Sequence, residues 1–170
     1  SPVSYSSLAK DLEISPHTIK KWISILESLY VIFIITPYSK NMARSLIKEP
    51  KVYFFDTGRV HDKAAKFENI VALALLKKLH YGQDLRGEKS ELHYLRDREK
   101  REVDFITIVD KKIIDMVEVK LSDTNLSPTL KYFKERLNPL RPVQVVYNLN
   151  QNLQFHDIPV KKAVEWLIQQ

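Results

Sequence analysis

Apolar positions recur with helical spacing in two stretches at the start of the chain. The first stretch ends at Ile14. Ser15 and Pro16 follow it, an N-cap residue and a favoured first helical residue. The second carries an apolar stripe of Ile19, Trp22, Ile23, Leu26 and Leu29 or Tyr30. This spacing predicts a second helix whose stripe faces a core, so that the two helices form a helix-turn-helix.

Two β-rich runs follow these helices. VIFII and KVYFFD are separated by a polar loop from Thr36 to Pro50. Two short apolar runs joined by such a loop predict a two-stranded ribbon. A helix-turn-helix followed by a ribbon is a winged helix, and we predict one over residues 1–60.

The pattern changes near residue 61, where AAKFENIVALALLKKLHY predicts a long amphipathic helix. Its apolar face is formed by Phe67, Ile70, Val71, Ala74, Leu75 and Leu79. A loop containing Gly82 and Gly87 leads to three strands, ELHYLR, EVDFITIV and IIDMVEVKL, then to a helix capped near Ser127 and a strand VQVVYNL. The order of helix, three strands, helix and strand predicts an α/β or α+β domain with a mixed sheet over residues 61–170.

Composition excludes several classes of function. The longest apolar run, Leu29 to Ile35, is too short to span a bilayer, and Ser1 to Leu12 does not resemble a signal peptide. We therefore expect a cytoplasmic protein without a membrane partner. Three glycines cannot form a P-loop or a dinucleotide fingerprint, so no nucleotide site is expected. The net charge of +6 favours a polyanionic partner such as DNA.

The second and third strands of the 61–170 region place acidic residues opposite one another. If Asp110 to Lys112 form a three-residue loop, Val109 pairs with Ile113 and Asp104 lies opposite Glu118. Directly opposed side chains have Cβ atoms roughly 4.5–5.5 Å apart on one face of the sheet. A two- or four-residue loop would misalign the pair.

Glu118 and Lys120 lie two positions apart on an otherwise apolar strand, so both share the face of Asp104. Burying such charges costs roughly a few kcal/mol unless they are paired or bound to a metal. Two carboxylates suit Mg²⁺ or Mn²⁺, the lysine could orient a water molecule, and Glu68 on the long helix could complete the metal shell. The alternative is a plain cross-strand salt bridge.

Asp104, the Glu118-x-Lys120 motif and the preceding helix with Glu68 resemble the PD-(D/E)xK nuclease superfamily, whose core is a restriction-endonuclease-like αβββαβ sheet. The resemblance covers about Ala64 to Leu149. It implies that Asp104 and Glu118 are metal ligands, that Lys120 orients the attacking water and that Glu68 is an auxiliary acid. The residue before Asp104 is Val103 and not proline.

The whole chain is similar to the C-terminal region of a family of predicted bacterial and archaeal AAA+ ATPases. The stretches that carry this similarity are SYSSLAKDLEISPHTIKKWISILESLYVIF, KVYFFDTG, KFEN, YLRD, REVDF and VEVKLSD. The resemblance implies a prokaryotic protein with a preceding ATPase domain that is missing from this chain, and oligomers are possible. Two functions follow: a metal-dependent DNA endonuclease, or an inactive DNA- or partner-binding module of the ATPase.

Candidate DNA-binding residues lie on the second predicted helix and in the loop of the ribbon. They are His17, Thr18, Lys20, Lys21, Arg44 and Lys48. A recognition helix contacts bases and phosphates through its first turns, which is where the first four lie. The alternative is a solvated face on a helix that binds protein. The five histidines lack metal-site spacing, and Trp22 and Trp166 lie on apolar stripes that predict core positions.

Overall fold

The computed structural model of the protein describes residues 2–39 and 49–170. The chain divides into two compact units, Ser1–Arg59 and Val60–Gln170, called unit 1 and unit 2 below. The described residues form five α-helices and eight strands, with both parallel and antiparallel strand pairs. The chain is therefore a mixed α/β protein, as the sequence predicts.

Unit 1 consists of two helices and a two-stranded ribbon. Its elements are α1 (Tyr5–Asp11), α2 (Pro16–Ser28), β1 (Ile32–Pro37), β2 (Lys51–Phe54) and a short 3₁₀ turn (Thr57–Arg59). The Ser15 hydroxyl caps α2 by accepting a hydrogen bond from the Thr18 backbone N–H at 3.1 Å. β1 and β2 pair antiparallel, with Ile32 opposite Phe54. Ala9, Ile19, Ile23 and Ile32 form the buried centre of the unit.

The prediction that the whole apolar stripe of α2 faces a core was wrong. Ile19 and Ile23 are buried, but Trp22 is 49% exposed and Leu29 is 65% exposed. Ile25 and Leu26 are also exposed, and Tyr30 beyond the helix is 77% exposed. The small unit buries one narrow strip of the helix, so the neighbouring apolar positions remain on its surface.

Unit 2 is built from a mixed sheet and three α-helices. Its elements are α3 (Lys63–Arg86), β3 (Ser90–Arg96), β4 (Glu102–Val109), β5 (Lys112–Lys120), α4 (Pro128–Leu137), β6 (Arg141–Val146), β7 (Leu153–Phe155), β8 (Ile158–Lys162) and α5 (Ala163–Leu167). The sheet order is β3-β4-β5-β6-β8-β7. β3, β4 and β5 form an antiparallel meander, whereas β5, β6 and β8 are parallel neighbours. β5 is thus an interior strand, which explains why its sequence is apolar on both faces.

The hairpin of β4 and β5 has a shorter turn than predicted. Val109 pairs with Lys112, so the turn consists of Asp110 and Lys111 alone, both with positive φ. The register then shifts between Ile106 and Ile108. One extra residue of β5 is accommodated there as a β-bulge. Beyond the bulge Phe105 faces Val117, and continuing this register by one residue places Asp104 opposite Glu118.

Helix α3 is longer than the sequence pattern indicated. Gly82, predicted to lie in a loop, is buried within the helix, which continues to Arg86. A β-carbon at Gly82 would lie 2.2 Å from a carboxylate oxygen of Glu88, so a glycine fits there without a shift of that side chain. The helix ends at Gly87, whose φ of 64° suits a residue without a side chain. Across the described parts of the chain, no helix has both the length and the apolar character to cross a membrane.

Candidate functional site

Asp104 and Glu118 project from neighbouring strands on one face of the unit 2 sheet. The Asp104 carboxylate accepts a hydrogen bond from the Val119 backbone N–H at 2.9 Å, which ties it to the strand that carries Glu118. Glu118 is buried, while Asp104 is partly exposed. One acidic group therefore lies inside the fold and the other at its edge, where a solvated ligand can reach it.

Lys120 completes this group from the same strand. Its Nζ lies 2.7 Å from Oε1 of Glu118, and about a third of its side chain remains exposed. Burial alone would lower the pKa of Lys120, but the hydrogen bond and charge of Glu118, with the charges of Asp104 and Asp123, raise it above the ordinary value. Lys120 is thus a fixed cation beside two carboxylates.

Glu68 lies near the same end of the sheet on α3, and it is partly exposed. The neighbouring Phe67 ring contacts Tyr147 at 5.3 Å between centroids, and the Tyr147 N–H donates to the Lys120 carbonyl at 3.0 Å. Within residues 2–39 and 49–170, however, no three His, Cys, Asp or Glu side chains lie close enough together to hold one ion. The structure therefore brings Asp104, Glu118 and Lys120 together. Glu68 does not join Asp104 and Glu118 in a group of three metal ligands.

Gln144 and Asp123 belong to this region but were missed from the sequence. Gln144 is fully buried on β6, and β6 pairs in parallel with β5 so that Gln144 adjoins Glu118. Its amide oxygen accepts from the Ser127 N–H, and its amide nitrogen donates to the carbonyls of Asp123 and Asn125. Gln144 thereby fixes the loop after Lys120. A lone amide within the run PVQVV was the available signal.

The donor chemistry of the site fits a hard divalent cation. Carboxylate oxygens such as those of Asp104 and Glu118 are preferred ligands of Mg²⁺ and Mn²⁺. Magnesium sites at phosphate substrates commonly use one or two carboxylates and fill the remaining positions with water and phosphate oxygens. Two carboxylates are therefore sufficient, and a third acidic side chain is not required.

The candidate DNA-binding residues of unit 1 lie in the first turns of α2. His17, Lys20 and Lys21 are exposed. The Thr18 hydroxyl contacts the Ser15 hydroxyl at 2.8 Å, so this side chain belongs to the helix cap. Arg44 and Lys48, predicted for the loop of the ribbon, lie outside the described residues.

Comparison with known protein families gives two matches. Residues 1–69 match a domain of unknown function, DUF8612. Residues 63–166 match a second domain of unknown function, DUF4143, which is commonly found C-terminal to AAA ATPase domains. Comparisons with curated proteins and with solved structures found no match. The match to DUF4143 covers more than half of the chain, so the chain belongs to the DUF4143 family.

Proposed function

We propose that unit 2 is a metal-dependent DNA phosphodiester hydrolase of the PD-(D/E)xK type, with a restriction-endonuclease-like core. The observation that carries the proposal is the meeting of Asp104, Glu118 and Lys120 on two adjacent strands. The element order from α3 to β6 agrees with the αβββαβ core of that superfamily.

In this proposal each residue has a separate task. Asp104 and Glu118 hold a divalent ion, which when bound polarises the scissile phosphate and acidifies a water molecule. Lys120 keeps its proton, orients the attacking water and offsets the negative charge that develops on the phosphate. Its contact with Glu118 holds the ammonium on the reacting side of the sheet. Gln144 positions the Asp123 loop that borders the lysine.

The proposal for unit 1 is a winged helix that delivers DNA to unit 2. Its support is the helix-turn-helix and ribbon, together with the exposed His17, Lys20 and Lys21 at the start of α2. We further propose that a preceding ATPase domain controls cleavage, because the DUF4143 family is commonly found C-terminal to such domains.

The test is plasmid and short-duplex cleavage by the purified chain in Mg²⁺, in Mn²⁺ and in EDTA. Asp104→Asn and Lys120→Ala should abolish cutting, while DNA affinity stays near that of the wild type. Lys112→Ala is the matched control, because Lys112 is an exposed lysine on the same strand. Calorimetry with Mn²⁺ gives a second readout, since Asp104→Asn should also weaken metal binding. A wild type that binds DNA, cuts with neither metal and binds Mn²⁺ no more tightly than Asp104→Asn does would refute hydrolysis.

A second function is favoured by the exposed apolar surface of α2. Trp22, Ile25, Leu26 and Leu29 recur at helical spacing and are all exposed. Exposed apolar patches of this kind often mark protein–protein contacts. In this alternative the chain is an inactive regulatory module, and α2 binds the ATPase domain instead of DNA.

Salt dependence separates the two roles of unit 1. Phosphate contacts make DNA affinity fall steeply with ionic strength. Lys20→Ala with Lys21→Ala should therefore weaken DNA binding and reduce the salt slope, whereas Lys10→Ala on the exposed side of α1 should not. If the double variant leaves DNA affinity unchanged and Trp22→Ala disrupts binding of the ATPase domain, the partner-binding function is correct.

A further inference from the structure

Unit 2 contains a cavity of about 340 Å³ that is separate from the candidate nuclease site. Its walls come from α3, β5, β6, β8 and the end of the chain. Asp115 lines the cavity and lies three residues before Glu118 on β5. Because β5 pairs regularly with β6 from Asp115 to Lys120, these two side chains point to opposite faces of the sheet.

Positive charge exceeds negative charge along the cavity. Lys78, Arg141 and Lys161 line it, against the carboxylates of Asp115 and Asp157. Asp157 already pairs with Lys134, which does not line the cavity. Asp115 is therefore the remaining carboxylate that offsets the cations of this lining.

Asp115 is shared between two of these cations. Arg141 Nε lies 2.8 Å from Oδ1, and its Nη2 lies 3.2 Å from Oδ2. Lys78 Nζ lies 3.4 Å from the same Oδ2, which also accepts a hydrogen bond from the Thr107 hydroxyl at 2.7 Å. Arg141 thus meets Asp115 with one edge of its guanidinium, and this leaves Nη1 available to a ligand.

Lys78 is half-buried, and its polar contacts are the Asp115 carboxylate at 3.4 Å, which it shares with Arg141, and the side-chain oxygen of Gln170 at 2.9 Å. Burial is the main reason that the pKa of Lys78 lies below its ordinary value, and the nearby charge of Arg141 lowers it further, against the opposing influence of Asp115. An anion next to both cations would relieve their mutual repulsion.

Part of the cavity wall is apolar, and Gln169 and Gln170 add two side-chain amides. Trp166 is buried and contributes to the apolar part, together with Pro142, Val143 and Pro159. Sites for small molecules typically combine an apolar lining with a few polar groups in a volume of roughly 300–1,000 Å³. An arginine and a lysine side by side suit phosphate oxygens, because the guanidinium donates in a fixed fork and the ammonium adds a point charge.

We propose that this cavity binds a small organic phosphate monoester, with the phosphate between Lys78 and Arg141 and an aromatic or aliphatic body against Trp166. Free nucleotides and the phosphorylated end of a nucleic acid share this chemistry. The site is independent of Asp104, Glu118 and Lys120, so its existence does not depend on whether unit 2 cleaves DNA.

Trp166 provides a direct readout of binding. The chain contains two tryptophans, so Trp22→Phe leaves Trp166 as the single one. In this background we expect a saturable change in fluorescence with phenyl phosphate and with adenosine 5′-monophosphate. Adenosine and inorganic phosphate should bind more weakly than the monophosphate. Equal binding of adenosine and its monophosphate, or no saturation at millimolar concentration, would overturn the proposal.

Charge variants test the assigned contacts. Lys78→Met should weaken monophosphate binding by about tenfold or more, the effect of losing one charge-assisted hydrogen bond. Lys161→Met is the second variant, because it leaves the Asp115 pairs intact, and it should weaken binding in the same direction. Lys112→Met is the control outside the cavity and should change nothing. Full affinity in both folded cavity variants would refute the assignment.

Whether the ligand is a free nucleotide or the end of a nucleic acid is tested with a 5′-phosphorylated oligonucleotide and the same oligonucleotide without the phosphate. Tighter binding of the phosphorylated strand than of both the unphosphorylated strand and adenosine monophosphate assigns the cavity to nucleic-acid ends. Saturable binding of adenosine monophosphate, with no gain in oligonucleotide affinity from the 5′-phosphate, assigns it to a free nucleotide. Asp104→Asn should leave either affinity unchanged. A loss of binding in Asp104→Asn would overturn the claim that the two sites are separate.

Discussion

Thr107 provides the sharpest test of how the β4–β5 hairpin is held. It is fully buried at the bulge, where its hydroxyl donates to the Asp115 carboxylate at 2.7 Å and accepts from the Asp115 backbone N–H at 3.0 Å. Thr107→Val keeps the branched shape but removes both hydrogen bonds. We expect the variant to lose stability while its strand geometry stays compatible with the fold.

The magnitude follows from the two bonds. A hydrogen bond to a charged group contributes roughly 1.5–3 kcal/mol, and a buried donor left without its partner costs roughly 1–3 kcal/mol. These contributions share one hydroxyl and are not additive, so we expect a loss of about 2–4 kcal/mol in the free energy of unfolding. No discount for solvent applies, because the side chain has no exposed surface.

The assay is urea denaturation followed by Trp166 fluorescence in the Trp22→Phe background, which reports on unit 2. Thr107→Ser is the matched control, since it keeps the hydroxyl and should lose only about 1 kcal/mol for the missing methyl group. A loss below about 0.5 kcal/mol in Thr107→Val, or equal losses in both variants, would show that the hydroxyl does not hold the bulge.

Three further changes test other parts of unit 2. Gln144→Leu removes the three hydrogen bonds of a buried side chain and should lower the free energy of unfolding by about 2–4 kcal/mol in urea titrations. Lys111→Gly should raise the free energy of unfolding by about 1 kcal/mol, because Lys111 has a φ of 69°, which glycine adopts without strain. Lys112→Gly within β5 should lower the free energy of unfolding. Burial would raise the pKa of Asp97, but its hydrogen bonds with Arg101 lower the pKa below the ordinary value. The stabilisation by Asp97 is therefore present above that ordinary value and lost as pH falls through the lowered pKa. Asp97→Asn should accordingly destabilise the protein near neutral pH and have little effect in strong acid, as measured by melting temperature against pH.

The order of elements in unit 2 could be predicted because each carries a local signal. Ser127 and Pro128 mark the start of α4, and the structure begins the helix there. β4 was predicted with the bounds that the structure has, Glu102–Val109. The apolar character of β5 on both faces correctly indicated an interior strand.

The length of the hairpin turn could not be predicted, because the residues of the turn lack the usual signal. Two-residue turns with positive φ are normally indicated by Asn-Gly or Asp-Gly in the sequence, whereas this chain has Asp110 followed by Lys111. Bulges have no reliable sequence signal at all. Two errors, a turn predicted one residue too long and a missed bulge, cancelled at Asp104 and Glu118.

The remaining differences depend on tertiary packing. Periodicity identifies an apolar stripe on α2 but not the width of the core that covers it, so Trp22 was assigned to the interior. Trp166 was also predicted to be buried, and it is. Gln144 and the Lys78–Asp115–Arg141 cluster join distant segments, so no local pattern could bring them together.

The bulge also determines which changes of chain length the hairpin can absorb. An odd number of residues separates Asp104 from Glu118, so the two can face each other only if the turn is odd in length or one residue is extruded from a strand. A chain lacking Ile114 would have a regular ladder and the same two carboxylates in opposition. A single insertion into β4 opposite the bulge would also give a regular ladder, whereas a deletion from β4 there would leave two residues of β5 unpaired. Tolerance of deletions and insertions should therefore be strongly asymmetric between two strands that pair with each other.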